Sequence, residues 1–272
     1  MKLTFWKMHG LGNDFIVLDS RKSGFVPDAA TAARLSERRF GIGADQVLVL
    51  LPSERADYRM VILNADGGEV EMCGNGIRCV AVFLRQRDKS RKRRYRIETL
   101  AGIMVPELKG DRVRVDMGEP VFAPERIPVK MEEPPVNRLI EVDGNRFYFT
   151  AVSMGNPHCV IPVDAVDGVP LAQVGFRLEH HRFFPNRANV EFVEPISRSH
   201  LKVRVWERGT GETLACGTGA CAALAAMVKL GQADRKAVVT LPGGDLEIEW
   251  AENNRLFMTG PAAMVFQGTV EV

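Results

Sequence analysis

Two stretches decide how this chain folds: Cys73-Gly-Asn-Gly-Ile-Arg-Cys79 and Cys216-Gly-Thr-Gly-Ala-Cys221. They begin 143 residues apart, and this offset aligns the chain with itself without a gap from residue 12 to about residue 84. The aligned pairs are Gly12-Asn13 with Gly155-Asn156, Gln46 with Asn189, Asn64 with Glu207, Gly68-Glu69 with Gly211-Glu212, and Gly76 with Gly219. The sequence therefore predicts two copies of one unit. Two identical thiols suit a reaction in which one atom is approached from opposite sides.

Composition sets the class of protein. The chain has 272 residues, 46% hydrophobic and 26% charged, which is typical of a globular protein. A net charge of +2 gives no basic excess, and the basic run at 85–96 lacks interleaved aromatic residues, so we expect no nucleic-acid partner. No apolar run reaches the roughly 20 residues of a membrane span, and no signal peptide is evident. We expect no membrane association, a cytoplasmic location and five reduced cysteines.

The residue pattern predicts many strands and few helices. Strands are predicted at 2–7, 15–19, 46–51, 59–64, 95–100, 112–117, 146–153, 159–162, 190–193, 202–207, 237–241, 246–250 and 255–259. Helices are predicted at 28–39, 74–87 and 217–230. Five prolines between 118 and 135 indicate a connection. We predict an α+β fold with two pseudo-symmetric domains, 1–118 joined by 263–272 and 119–262, each a mixed β-sheet or barrel wrapped around a central helix.

Cys73 and Cys216 each precede a glycine-rich turn and a predicted helix. A helix N-terminus favours an anion, so we expect the pKa of each thiol to be lowered. The N–H groups of Gly74-Asn75 and Gly217-Thr218 are suited to hold a carboxylate. One thiolate could then remove the α-proton of a bound amino acid while the other thiol protonates the opposite face.

Other chemistry for the cysteines is less well supported. Cys79, Cys159 and Cys221 are interpreted as small buried hydrophobic residues. A disulfide between Cys73 and Cys216 would more readily be an inactivated state than the function. The spacings do not match a structural zinc site, and no lysine motif indicates pyridoxal phosphate, so we expect neither metal nor cofactor.

Polar residues occur at matched positions of the two copies. Singly, the asparagines are turn formers, but as a matched set beside the cysteines they indicate ligand contacts. His158 is equally well interpreted as structural or as an acid–base support for the cysteines. The candidate contact residues are Asn13, Gln46, Asn64, Asn156, Asn189, Glu207 and Arg208.

These motifs together resemble one family. The stretches 8–15, 64–79, 155–158 and 207–220 are similar to the diaminopimelate epimerase family, and the resemblance runs over essentially the whole chain. It implies pyridoxal-independent conversion of LL-2,6-diaminopimelate to the meso form, a step in lysine and peptidoglycan-precursor synthesis. It also implies two pseudo-symmetric domains that close over the substrate.

The resemblance also implies roles for single residues. Cys73 would be the base toward the LL form and Cys216 the acid, with His158 and Glu207 assisting the thiols. Gly74, Asn75, Gly217 and Thr218 would bind the reacting carboxylate, and the candidate contact residues would bind the rest of the substrate. The family is commonly a homodimer, and Phe266 stands where some members use a tyrosine at the dimer contact.

Two alternatives stay open. The first is another cofactor-independent amino-acid racemase, for example for proline, which lacks the second zwitterionic end that Glu207-Arg208 would bind. The second is a thiol-based binding or redox protein without turnover.

Overall fold

The computed structural model describes residues 1–89 and 91–272. The chain divides into a first unit, Met1–Asp116 with Gly260–Val272, and a second unit, Met117–Thr259. The domain boundaries expected from the sequence fall within three residues of these divisions. That each unit is a domain in its own right stays a prediction.

The first copy of the repeat contains two helices and a series of strands. The helices are α1 (Ala29–Ser36) and α2 (Gly74–Arg87). The strands are β1 (Lys2–Gly10), β2 (Asn13–Asp19), β3 (Gln46–Leu51), β4 (Tyr58–Asn64), β5 (Ile97–Thr99), β6 (Gly102–Met104), β7 (Glu107–Lys109), β8 (Arg112–Gly118) and, from the chain end, β18 (Ala263–Glu271).

The second copy is built alike. Its helices are α3 (Leu171–Glu179) and α4 (Gly217–Lys229), with a short 3-10 helix at Pro124–Arg126. Its strands are β9 (Arg138–Val142), β10 (Asn145–Ser153), β11 (Pro157–Pro162), β12 (Asn189–Ser197), β13 (His200–Glu207), β14 (Gly211–Thr213), β15 (Lys236–Leu241), β16 (Gly244–Trp250) and β17 (Leu256–Pro261).

Each unit wraps a mixed sheet around one helix. In the first unit the strand order is β18-β1-β2-β3-β4-β5-β6, and α2 packs on β1, β2, β3 and β18. In the second unit the order is β9-β10-β11-β12-β13-β15-β16-β17, with β14 beside β13, and α4 packs on every strand from β10 to β16 except β14. Because α4 is rich in alanine and glycine, strands can approach it closely on all sides. The predicted α+β class and central helices are confirmed.

The two sheets repeat the same pairing. The strands β2 and β3 run parallel with Phe15 opposite Gln46, and β11 and β12 run parallel with His158 opposite Asn189. The 143-residue offset also carries β1 onto β10 end to end, so the structural repeat starts earlier than the aligned sequence.

Several elements were not predicted. Helix α3 begins after Pro170, which makes no side-chain capping bond, so no local start signal marks it. The repeat could have found it, because the offset carries α1 onto 172–179. Strands β6, β7 and β14 have three residues each, and β18 is mostly exposed, so none shows a clear apolar alternation. Helix α1 ends at Ser36 and not at residue 39.

Candidate active site

The first cysteine cluster consists of Asn13, Gln46, Asn64, Cys73, Gly74 and Asn75. Cys73 is the N-cap of α2, and its half-buried Sγ accepts a hydrogen bond from the Gly76 N–H at 3.3 Å. The predicted position of this thiol at a helix start is therefore confirmed. Its Sγ also lies 3.8 Å from Oδ1 of Asn13, which can accept the thiol proton.

Asn13 is held from both sides. Its Oδ1 accepts from Nδ2 of Asn75 at 3.1 Å, and its Nδ2 donates to Oδ2 of Asp45 at 2.8 Å. Gly12, with a φ of 87°, makes the turn that places Asn13 at the start of β2. Asp45 is a supporting residue that the sequence analysis missed, because nothing in the local pattern pairs it with a residue 32 positions earlier.

A charged network supports this turn. Asp14 accepts from Lys7 Nζ at 2.6 Å and from Arg38 Nη2 at 2.8 Å, and Arg38 also reaches Asp45 at 2.7 Å. Burial opposes ionisation of Asp14, but the hydrogen bonds from Arg38 and Lys7 outweigh it and hold the pKa of that carboxyl well below its usual value. The turn therefore carries an ionised carboxylate at neutral pH.

Gln46 and Asn64 face each other across β3 and β4. Gln46 Nε2 donates to Asn64 Oδ1 at 2.8 Å, and the two residues are direct partners in the antiparallel ladder. Within residues 1–89 and 91–272, Oε1 of Gln46 is buried and has no hydrogen-bond partner. A buried acceptor without a donor is costly, so this amide is suited to a ligand that brings an N–H group.

The second cysteine cluster consists of Asn156, His158, Asn189, Glu207, Arg208, Cys216, Gly217 and Thr218. Cys216 is the N-cap of α4, and its Sγ accepts from the Gly219 N–H at 3.4 Å and lies 3.5 Å from Oγ1 of Thr218. This repeats the geometry of Cys73, so the matched sequence frames produce matched helix starts.

The expected lowering of the thiol pKa is wrong for Cys216. Burial, followed by the negative charges of Glu207 and Glu191, raises the pKa of this thiol well above its usual value. The Thr218 hydroxyl and the Gly219 N–H act in the opposite direction but are outweighed. Only 5% of Cys216 is exposed, so water cannot solvate the thiolate. In this structure Cys216 is a proton-carrying thiol.

Glu207 is the last residue of β13 and Arg208 follows it, at the point where the repeat loses its symmetry. Oε1 of Glu207 accepts from the Thr213 hydroxyl at 2.6 Å. The backbone N–H of Arg208 donates to Oδ1 of Asn189 at 2.9 Å, and its guanidinium Nη1 donates to the Asn186 carbonyl at 3.2 Å. The Asn189 Nδ2 in turn donates to the Pro157 carbonyl at 3.0 Å. Asn189 therefore positions the backbone that carries the charged pair.

His158 is fully buried between two oxygens. Its Nε2 lies 2.9 Å from Oδ1 of Asn156, and its Nδ1 lies 2.7 Å from Oε1 of the equally buried Glu191. Sequence reasoning missed Glu191. The signal was available, because the offset maps Glu191 onto Leu48 and His158 onto Phe15, so polar residues stand in one copy where the other is apolar.

The remaining cysteines behave as expected. Cys79, Cys159 and Cys221 are fully buried, and burial raises the pKa of Cys79 and of Cys159. In the part of the chain that the structure describes, no cluster of three or more His, Cys, Asp or Glu residues could hold a metal ion. None of the described helices has the length and the apolar character that a membrane span requires.

A known protein family and curated proteins match this sequence over nearly its whole length. The family model described as "Diaminopimelate epimerase" matches residues 5–123 and 150–265. The chain belongs to the diaminopimelate epimerase family. It is 52% identical over 277 residues to a diaminopimelate epimerase of Acetivibrio thermocellus, with 99% of each chain covered. It is also 52% identical to one of Carboxydothermus hydrogenoformans, with 98% of each covered.

Solved structures show the same fold at low sequence identity. A phenazine biosynthesis protein of the PhzF family from Bacillus anthracis superposes with a TM-score of 0.74 at 19% identity and full coverage of both chains. A hydroxyproline epimerase from Agrobacterium vitis superposes with a TM-score of 0.70 at 17% identity, covering 99% of this chain and 92% of the other. The diaminopimelate epimerase family thus shares its fold with proteins of other activities.

Proposed function

We propose that the protein epimerises LL-2,6-diaminopimelate to the meso form by a two-thiol mechanism without a cofactor, in lysine and peptidoglycan-precursor synthesis. The observation that carries the proposal is the repeated thiol geometry. Cys73 and Cys216 each cap a helix and accept an N–H from the residue three positions on, at 3.3 and 3.4 Å. Family membership and 52% identity to named diaminopimelate epimerases support the substrate.

The proton transfers balance without any redox step. The Cys73 thiolate takes the α-proton of the LL substrate, which breaks the C–H bond and leaves the electron pair on the α-carbon. The Cys216 thiol then gives its proton to the opposite face and becomes the thiolate. The raised pKa of Cys216 supports its role as the group that starts with a proton. The two thiols exchange roles in the reverse direction.

The proposal requires one substrate molecule to contact both cysteine clusters. The N–H groups of Gly74-Asn75 and Gly217-Thr218 would bind the reacting carboxylate, which also stabilises the charge that develops beside it. Asn13, Gln46, Asn64, Asn156 and Asn189 would orient the amino-acid groups. His158 would assist the thiols indirectly, through Asn156, because its two ring nitrogens face Glu191 and Asn156.

The charged pair of the second cluster would select the substrate. Glu207 and Arg208 offer an anion and a cation, which match the ammonium and the carboxylate of a second, unreacting amino-acid end. Proline and hydroxyproline have no such end. Another racemase activity of this fold is therefore the weaker candidate. A binding or redox protein is weaker still, since the matching family model and the named relatives are epimerases.

The test is turnover of LL-diaminopimelate by the purified protein in deuterated water. We expect the meso product with deuterium at the inverted α-carbon, and no change in proline or hydroxyproline supplied in its place. Deuterium incorporation at the α-carbon of proline, but not of diaminopimelate, would establish the racemase alternative. Absence of exchange with every amino acid would leave the binding or redox protein.

We also propose a cytoplasmic homodimer. Strand β18 is an edge strand of the sheet in the first unit. Two of its apolar residues are exposed: Val265 has 57% and Phe266 has 48% of its surface accessible to solvent. Phe266 packs edge-on against Phe5 with ring centroids 5.9 Å apart, so it is a firmly placed apolar contact. Light scattering should give twice the chain mass for the wild type and the chain mass for Phe266→Glu. A wild-type monomer would disprove the dimer.

A further inference from the structure

The second unit contains a buried ionisable pair that its fold does not need. His158 and Glu191 lie on neighbouring strands β11 and β12, both fully buried, with Nδ1 and Oε1 2.7 Å apart. Among the described residues, Oε2 of Glu191 has no hydrogen-bond partner. Burying such a pair costs free energy. Replacing the whole pair by well-packed apolar residues often leaves protein stability unchanged or increases it.

The first unit shows that apolar residues fill the same positions. Phe15 and Leu48 occupy the matched places, and both are fully buried. A Cβ added to Gly76 would lie 3.2 Å from the Leu48 methyl carbons, and a Cβ added to Gly219 would lie 2.9 Å from Oε1 of Glu191. Leu48 and Glu191 thus occupy equivalent space beneath the two helix starts. The polar pair is therefore a property of the second cluster and not of the fold.

The pair leads directly to a candidate contact residue. The second ring nitrogen of His158, Nε2, lies 2.9 Å from Oδ1 of Asn156. An amide oxygen only accepts, so Nε2 must carry a proton to bond it. On the other side, one proton lies between Nδ1 and Oε1 of Glu191. Burial raises the pKa of the Glu191 carboxyl and the facing His158 opposes that rise, which fits a proton held between them.

We infer that Glu191 is a positioning residue: by sharing a proton with Nδ1 of His158 it keeps Nε2 protonated, and Nε2 fixes Asn156 through its Oδ1. This orientation directs the amide NH₂ of Asn156 toward the ligand as a donor, which suits a carboxylate group. The role in catalysis rests on the proposed function, whereas the proton arrangement does not.

Three variants separate the parts of this inference. Glu191→Gln can still bond Nδ1 through its amide N–H, and this leaves Nε2 protonated. Glu191→Leu removes the partner of Nδ1. The double variant His158→Phe with Glu191→Leu reproduces the Phe15 and Leu48 pair of the first unit. It is the matched control for folding, because the same pair already packs in this chain.

The first measurement is ¹⁵N NMR of histidine-labelled free protein, with the His158 signals assigned by their absence from the double variant. We expect a protonated Nε2 and a shared proton at Nδ1 in the wild type, and a protonated Nε2 with a bare Nδ1 in Glu191→Gln. In Glu191→Leu we expect the single proton to be divided between the two ring nitrogens, because Nδ1 no longer has a partner that selects one tautomer. A wild-type Nε2 without a proton would overturn the inference, whether or not the protein turns over diaminopimelate.

The second measurement is kcat/KM for diaminopimelate. Glu191→Leu and the double variant should each lower it roughly tenfold to hundredfold, the range for loss of a hydrogen bond to a charged group. Glu191→Gln should retain it within about threefold, since the bonding pattern survives. Wild-type kcat/KM in the double variant, or equal losses in Glu191→Gln and Glu191→Leu, would overturn the positioning role.

Discussion

Cys216 Sγ lies 3.4 Å from the Gly219 nitrogen, the arrangement that normally favours a thiolate, and yet its thiol pKa is raised. Burial and the carboxylates of Glu207 and Glu191 outweigh the hydrogen bonds from the Thr218 hydroxyl and the Gly219 N–H. The helix start therefore places this sulfur without ionising it.

The pH dependence of Cys216 alkylation tests this directly. Because only the thiolate reacts, the rate with iodoacetamide should still be rising above pH 9 in the free protein. Glu207→Gln removes a nearby negative charge, which stabilises the thiolate, so the apparent pKa should fall and the rate at pH 8 should increase. Peptide mass spectrometry after timed quenching gives the rate for Cys216 alone.

The control for that experiment is Glu212→Gln. Glu212 lies on the neighbouring strand β14 and pairs with Arg204, and it is not among the groups that raise the pKa of Cys216. Its alkylation profile should match the wild type. A wild-type rate that levels off below pH 8 would show that the Cys216 thiolate is already stable without ligand.

Loss of either matched thiol should stop epimerisation. Cys73→Ala and Cys216→Ala each remove one of the two proton-transfer groups, and we expect kcat to fall at least about 10²–10⁴-fold. Cys221→Ala is the matched control, because Cys221 is a buried residue within the alanine-rich helix α4 and should leave kcat within about twofold. Near-normal turnover in either of the first two variants would rule out the two-thiol mechanism.

Arg208 should matter for binding more than for thiol chemistry. Asn189 fixes its backbone, and its guanidinium has an anchor at the Asn186 carbonyl, so the charge is held in place. Arg208→Ala should raise KM for diaminopimelate roughly tenfold to hundredfold, the effect of losing a charged hydrogen bond. Alkylation of Cys73 should be unchanged. The KM of Arg208→Lys should lie between those of the wild type and Arg208→Ala, since lysine keeps the positive charge but lacks the planar guanidinium.

The two helix-start glycines should respond differently to alanine. In Gly219→Ala the new Cβ would meet Oε1 of Glu191 at 2.9 Å and Cys216 Sγ at 3.3 Å, whereas in Gly76→Ala it would meet flexible Leu48 methyl groups at 3.2 Å. We expect Gly219→Ala to lower the free energy of unfolding by about 1–3 kcal/mol, the cost of overpacking. Gly76→Ala should lower the free energy of unfolding by less. Urea unfolding of both variants measures the difference. Equal losses would mean that Glu191 moves aside as readily as Leu48.

Much of the fold of this chain can be predicted from its sequence because the repeat is long and ungapped. Helix α2 was predicted to the residue and α4 to within one, since glycine-rich starts and apolar faces mark both. Strand β18 escaped because it is mostly exposed, and β6, β7 and β14 escaped because they have only three residues each. Asp45 and Glu191 escaped because their partners are distant in sequence: Asp45 contacts an asparagine 32 residues earlier, and Glu191 contacts a histidine 33 residues earlier.

The sequence by itself determined the two copies, the two cysteines that begin their helices, and the broken symmetry at Glu207 and Arg208. These are local or periodic properties, and each residue's type and spacing carry them. Only the tertiary structure decided the electrostatics. Whether Cys216 ionises depends on its burial and on carboxylates from other strands, and the proton on His158 depends on Glu191 beneath it. Such quantities are set by neighbours in space, which a residue pattern along the chain does not contain.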